Sequence, residues 1–166
     1  MRFPGMKRKK IRFPAALFSG ILLVFLDQYT KYLAAKFLKP GGPVILIRNV
    51  LELRYLENRG AAFGMLQNRK WIFIVFACIC IIVCAWIGFR LAVADQNMAL
   101  RICLASLAAG AAGNLIDRVS RGYVIDFIYF SLIHFPVFNL ADVCVTLGTA
   151  SLVIIVLFFD HDKEAQ

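Results

Sequence analysis

The sequence predicts an all-α membrane protein: a bundle of four transmembrane helices carrying one small β-sheet insert. Three observations predict it. Of the 166 residues, 61% are hydrophobic and 17% charged, whereas a soluble domain holds about 45–50% apolar and about 25% charged residues. Apolar runs recur at lengths near the ~20 residues that a membrane-crossing helix needs. Between the first two runs the pattern changes, because Pro40-Gly41-Gly42-Pro43 interrupts the helix and short β-like segments follow.

The elements follow in order. Residues 1–12 carry Arg2, Lys7, Arg8, Lys9, Lys10 and Arg12 and no acid, the charge pattern of a cytoplasmic anchor. The first span covers about residues 14–37. Its apolar half could pass for a signal-peptide core, but Asp27-Gln28-Tyr29-Thr30-Lys31 follows it in place of a small-residue cleavage site. The span is therefore expected to stay in the mature protein. The insert covers about residues 40–66. Within it Val44-Ile45-Leu46-Ile47 and the run from Val50 to Glu57 read as short strands, the second alternating apolar and polar near its end. Asn58-Arg59-Gly60-Ala61-Ala62-Phe63-Gly64 turns the chain back.

The second span, about 71–89, holds no charge, and Arg90 to Arg101 makes a short connection to the third, about 102–117. There Ser106, Gly110 and Asn114 recur at four-residue spacing beside Ala109 and Gly113, small residues that let helices approach closely. The fourth span covers about 139–159, and a short polar tail ends the chain. No linker or repeat divides it, so residues 1–166 are expected to form a single domain.

Composition also narrows the function. The net charge of +9 comes with no nucleic-acid readout motif, and in so apolar a chain it reflects cytoplasmic anchoring and contact with membrane lipid. Cys78, Cys80, Cys84, Cys103 and Cys144 all lie inside apolar runs and read as small buried hydrophobes. His134 and His161 belong to no metal-ligand pattern. No metal and no cofactor are expected. Ser106 and Ser151 lie in apolar helices without a His, so nucleophilic catalysis has no support.

Polar residues, by contrast, converge. Spans that alternate in direction bring the end of the first (Asp27, Lys31), the end of the third (Asn114, Asp117, Arg118) and the start of the fourth (Asn139, Asp142) to one membrane face. The insert with Asn58 and Gly60 and the loop with Asp126 belong to that face. Asp27/Lys31 are spaced i,i+4, and Asn114/Asp117 and Asn139/Asp142 i,i+3, so each pair shares a helix face. Polar faces in lipid turn inward to one another. Lys and Arg divide almost evenly between the two sides, so the basic N-terminal flank decides orientation. Both termini are expected in the cytoplasm and the polar cluster outside.

Asp126 lies between Ile125 and Phe127, and Asp142 opens an uncharged apolar run. An acid beside lipid costs about 2.5–3.5 kcal/mol or more, which marks it as functional by default; the plain alternative is a helix cap or anchor. Two such acids that meet cannot both ionise comfortably and hold one proton between them near neutral pH. The ionised member can take a proton from water while the protonated one hydrogen-bonds a scissile carbonyl, which is peptide hydrolysis without a covalent intermediate.

The motifs that carry these residues resemble a known family. Asp27-Gln28-Tyr29-Thr30-Lys31, Asn58-Arg59-Gly60-Ala61-Ala62-Phe63, Gly113-Asn114-Leu115-Ile116-Asp117-Arg118, Val124-Ile125-Asp126-Phe127 and Phe138-Asn139-Leu140-Ala141-Asp142 look like the five signature boxes of the bacterial lipoprotein signal peptidase (signal peptidase II), in the family's order. The resemblance implies a four-helix membrane aspartic endopeptidase of the bacterial inner membrane, with a small extracytoplasmic sheet, the β-cradle. It implies cleavage of prolipoproteins before a cysteine that already carries diacylglycerol, and inhibition by a cyclic peptide of the globomycin type. By match of motif, Asp126 and Asp142 are the catalytic dyad. Asp27, Lys31, Asn58, Gly60, Asn114, Asp117, Arg118 and Asn139 form the polar shell around dyad and substrate. Asp27 with Lys31 either holds helices together or meets substrate. Arg118 either holds a substrate oxygen or neutralises Asp117. Asn139 is expected to donate to a carboxylate rather than only to cap its helix.

Other classes fit less well. A transporter would need ionisable groups through the membrane's depth, but the second span has none. A lipid-headgroup transferase would carry a metal-binding carboxylate motif, which this chain does not. A structural bundle leaves the polar convergence unexplained.

Overall fold

One helix carries the packing of the whole molecule. In the computed structural model, which describes residues 13–60, 66, 67, 69–94 and 97–159, the helix Met98–Ser120 (α3) touches each of the other long helices. These are Phe13–Leu33 (α1), Lys70–Val93 (α2) and Leu140–Phe159 (α4). The basic stretch 1–12, the Ala61-Ala62-Phe63-Gly64 part of the expected turn and the tail 160–166 lie outside the described residues.

Lipid gives helices no hydrophobic reason to associate, so close contact must come from small residues. α3 supplies them. A Cβ on Gly110 would run into the main-chain oxygen of Ala141 and the side chain of Val145, and one on Gly113 would strike the Asp27 carboxylate. From the other side, Gly148 of α4 brings its backbone against Cys103 and Leu107, where a Cβ would sit 3.1 Å from each backbone. Ser106 adds a 3.1 Å bond from its hydroxyl to the Cys144 carbonyl.

Three of the four helices are long and apolar enough to cross a membrane: Lys70–Val93, Met98–Ser120 and Leu140–Phe158, searched among the described residues. α1, which carries Asp27, Gln28, Thr30 and Lys31 in its second half, is not among these three. It continues through a π-helical turn, Ala34–Leu38, and a last short turn, Lys39–Gly41. Gly42 then leaves the helix at φ 79°, a conformation that favours glycine.

The sheet differs from the expected insert. Val44–Ile47 (β1) and Leu51–Asn58 (β2) pair antiparallel, but a third strand, Val124–Phe130 (β3), comes from the stretch after α3 and pairs antiparallel with β2. The loop expected to carry Asp126 is thus a strand, and the insert is sewn into the bundle. Alternation along β3 divides its side chains. Ile125 and Phe127 pack with Ala34 and Leu38 at the end of α1, which turns Val124 and Asp126 to the opposite face. A bulge in β2 between Leu53 and Leu56 shifts the register, setting Leu56 opposite Asp126 and Asn58 opposite Val124. Beyond β3 the chain turns through Ser131–Ile133 and returns, and Phe138 bonds back to Ile128 in both directions at 2.9 and 2.8 Å. That bridge delivers Asn139 and the start of α4 beside Asp126.

Candidate active site

Two groups of polar side chains meet at this end of the bundle. The first is ionic. Lys31 of α1 is fully buried, and its ammonium reaches Asp27 Oδ2 at 2.9 Å, Asp117 Oδ2 at 3.1 Å and Asn114 Oδ1 at 3.0 Å. An ammonium has three N–H donors, and all three are used. Asp27 Oδ1 also accepts from the Ala141 main-chain N–H at 2.9 Å, at the N-terminus of α4. Asp117 accepts from the Ile125 N–H at 3.1 Å, at the start of β3, and pairs with Arg121. Gln28 donates to Asp27, Asp117 and the Gly113 carbonyl. Two acids and two bases leave this cluster neutral, and it joins α1, α3, β3 and α4.

The second group holds Asp126 and Asp142, both lining a cleft of about 540 Å³ with Asn58, Asn114 and Arg118. Asp126 accepts from Asn58 Nδ2 at 2.9 Å and Asn139 Nδ2 at 2.6 Å. Asp142 accepts from Asn114 Nδ2 at 2.8 Å and the Asn139 main-chain N–H at 3.1 Å. Neither acid is in an ion pair among the described residues. Asn139 therefore bonds both carboxylates.

Three amides aim at these acids, and each is oriented by a group that can only donate. Lys31 holds the oxygen of Asn114, which leaves its NH2 for Asp142. The Gly60 N–H holds the oxygen of Asn58 at 2.9 Å, leaving its NH2 for Asp126. The Asp142 N–H holds the oxygen of Asn139 at 3.0 Å, leaving its NH2 for Asp126 as well. The last bond, with its reciprocal from the Asn139 N–H to Asp142, is a capping box at the N-terminus of α4. Asn139 thus both caps and donates, and the carboxylate it donates to through its side chain is Asp126.

Burial, and after it the negative charge of Asp142, pushes the Asp126 carboxyl up to about 7 against the bonds from Asn58 and Asn139. Arg118 lines the same cleft, donates to the Gly60 carbonyl at 3.2 Å and the Asn114 carbonyl at 3.3 Å, and lies over the Phe73 ring at 4.6 Å. Asp117 is neutralised by Lys31 and Arg121, so Arg118 is left to the cleft. Its rim is apolar: Phe135 is 45% and Leu147 61% exposed.

All ten residues singled out in the sequence fall into these two groups. Asp126, Asp142, Asn58, Gly60, Asn114, Arg118 and Asn139 gather at the cleft, and Asp27, Lys31 and Asp117 lie behind it. Gln28, Arg121 and Phe73 were not anticipated. Arg121 stands four residues after Asp117, a spacing that signals an ion pair. Phe73 is one aromatic residue among many in its span.

The signal peptidase (SPase) II family profile matches residues 20–159. A lipoprotein signal peptidase of Caldanaerobacter subterraneus is 47% identical over 137 residues, covering 82% of this chain and 91% of that protein. Its counterpart in Brevibacillus brevis is 42% identical, covering 86% and 94%. A bacterial membrane enzyme solved by the in meso method at 2.3 Å superposes with a TM-score of 0.79 at 32% identity, covering 92% of each chain. Five motifs in order, a membrane fold shared with a solved enzyme and a family match over most of the length agree: the chain belongs to the signal peptidase II family, proteases that remove signal peptides from prolipoproteins.

Proposed function

We propose that the chain is a four-span aspartic endopeptidase in which Asp126 and Asp142 activate a water against the bond before a diacylglyceryl-modified cysteine. The observation that carries this is the cleft itself. Two acids from separate segments share one asparagine, with no cation paired to either among the described residues. With one proton between them, and Arg118 beside them, the charges in the cleft cancel. That proton is what an aspartic mechanism needs.

The ionised carboxylate takes a proton from water as the water oxygen bonds to the scissile carbonyl carbon. The protonated carboxyl gives its proton to the carbonyl oxygen. The tetrahedral intermediate then collapses: one of its hydroxyls returns a proton to the ionised carboxylate, the C–N bond breaks, and the nitrogen leaves with the proton of the other carboxyl, so the dyad again holds one proton. Asn58, Asn114 and Asn139 hold the carboxylates in place. Asp27, Lys31 and Asp117 hold the asparagines and helix ends, and Arg118 with Gly60 offers polar contacts to the substrate backbone.

α1 serves as the fourth span of a single domain covering 1–166. Leu17, Phe18, Ile21 and Phe25 are each more than half exposed while Asp27 and Lys31 are buried, the inverse of a soluble helix and the pattern lipid demands. The basic N-terminal flank puts both termini in the cytoplasm and the cleft near the extracytoplasmic face of the bacterial inner membrane. Its apolar rim suits a lipid-bearing substrate arriving sideways from the bilayer.

The test is a side-by-side cleavage assay with a diacylglyceryl-modified precursor and the same precursor without lipid. The lipidated form is expected to be cut, the other poorly, and a globomycin-type cyclic peptide to stop the reaction. Equal cleavage of both forms would contradict the substrate assignment.

A further inference from the structure

A guanidinium and two carboxyls line one cleft without pairing. Arg118 shares the cleft with Asp126 and Asp142, yet among the described residues it forms an ion pair with neither. An arginine cation in contact with an aspartate favours the anion and lowers its pKa by about 1–3 pH units. Such a contact here would strip the dyad of the proton that an aspartic mechanism needs. The cation must therefore stay near enough to balance charge and be held off the carboxylates.

Three contacts hold it. Two nitrogens of the guanidinium donate to the carbonyls of Asn114 at 3.3 Å and Gly60 at 3.2 Å. Two bonds define an axis about which a planar group can still turn. The third contact removes that freedom: the face of the guanidinium lies over the Phe73 ring, 4.6 Å from its centre, and arginine stacks flat on aromatic faces. Phe73 stands in the first turn of α2 and is the one residue that this helix gives to the cleft among the described residues. We propose that Phe73 is a positioning residue of the peptidase, whose ring keeps Arg118 turned away from Asp126 and Asp142 so that the acids retain their shared proton. This rests on the aspartic reading of the cleft.

The other charged groups around the dyad are engaged elsewhere. Lys31 of α1 is bonded to Asp27, Asp117 and Asn114, and Asp117 of α3 also pairs with Arg121. Beside Asn58 on β2, Arg59 lies over the Tyr123 ring at 5.9 Å. Lys70, at the start of α2, lies over the Trp71 ring at 5.4 Å. His134, on the turn that leads to Phe135, meets the Tyr129 hydroxyl at 3.1 Å. Arg118 is thus the described cation that lines the cleft, and the one that loss of the Phe73 ring would release onto the acids.

Infrared titration of the full chain in membranes tests this. The protonated Asp126 carboxyl gives a C=O band, identified by its loss in Asp126→Asn, and in the unaltered chain its midpoint is expected near the value of about 7 that burial and Asp142 impose. In Phe73→Leu that midpoint should fall by about 1–3 pH units, and the alkaline limb of the kcat/KM profile should fall with it. Phe73→Tyr keeps a ring face and should restore both. In an Arg118→Gln background, adding Phe73→Leu should move the midpoint no further, because the cation is gone. If Arg118→Gln does not fold, the comparison of Phe73→Leu with Phe73→Tyr still decides. An unmoved midpoint in Phe73→Leu, or an equal shift in the Arg118→Gln background, would overturn the proposal. The band is read whether or not a precursor is cut, so the role of Phe73 and the peptidase reading can fail separately.

Discussion

Two pairs of aspartates lie at the same end of this bundle, and Asn114 touches both groups. Its oxygen accepts from Lys31, which Asp27 and Asp117 flank, and its NH2 donates to Asp142. The first pair is matched by Lys31 and Arg121, sealed from solvent and used to tie four segments together. The second pair accepts bonds only from amides and an N–H, and it opens onto a cleft that Arg118 lines. The difference teaches that burial alone does not make an acid reactive. A buried acid bonded to a cation is a strut; a buried acid with no ion pair, lining one cleft with a second acid, keeps a proton in play.

The largest effect should separate the pairs by function. Asp126→Asn or Asp142→Asn is expected to cut precursor cleavage by about 10²–10⁴-fold, the usual worth of a positioned acid or base, with little change in melting temperature. Asn at 142 can still accept from the Asn139 N–H, so the cap survives. Normal cleavage by either variant would remove that residue from the dyad.

Changes in the matched pair should instead appear as instability. Lys31→Met leaves Asp27 and Asp117 buried without their shared ammonium, a loss of about 3–5 kcal/mol that denaturant or thermal unfolding of the membrane-inserted protein can measure. Gly113→Ala is the smaller version. Its methyl would press on the Asp27 carboxylate and cost about 1–3 kcal/mol by overpacking. An unchanged midpoint in both would mean that the ionic cluster does not brace the fold.

The smallest effect concerns protons. The Asn58 bond favours the Asp126 anion, so Asn58→Ala should raise the Asp126 carboxyl further. Losing one charge-assisted bond should move the alkaline limb of the cleavage–pH profile upward by about one pH unit. A downward move would show that Asn58 stabilises the protonated form.

The gathering of these residues at one end was legible in the sequence. Alternating span direction was enough to collect Asp27, Asn114, Asp117, Asn139 and Asp142 on one face, and helical spacing showed which residues project together. The division into two groups was not legible, because it depends on which partner each acid meets across the bundle. Gln28 follows Asp27 directly and so shows no shared helix face, yet it reaches Asp117 on another helix. Strand β3 was hidden for a different reason. Val124-Ile125-Asp126-Phe127-Ile128-Tyr129-Phe130 places apolar residues on both faces, with Asp126 the one acid among them, so it shows no alternation to reveal a strand. Its pairing with β2 spans tens of residues of sequence, and its register shifts at the bulge between Leu53 and Leu56.

The central claim is that Asp126 and Asp142 work with a single proton between them, and the pH dependence of kcat/KM for a lipidated precursor tests it most directly. The Asp126 carboxyl lies far above its ordinary value, at about 7, so its proton is present below that pH and lost as pH rises through it. Cleavage should therefore fall on the alkaline side with an apparent pKa near 7, while the protein stays folded. A rate that stays flat from about pH 6 to about pH 9 would contradict the shared proton and, with it, the aspartic mechanism.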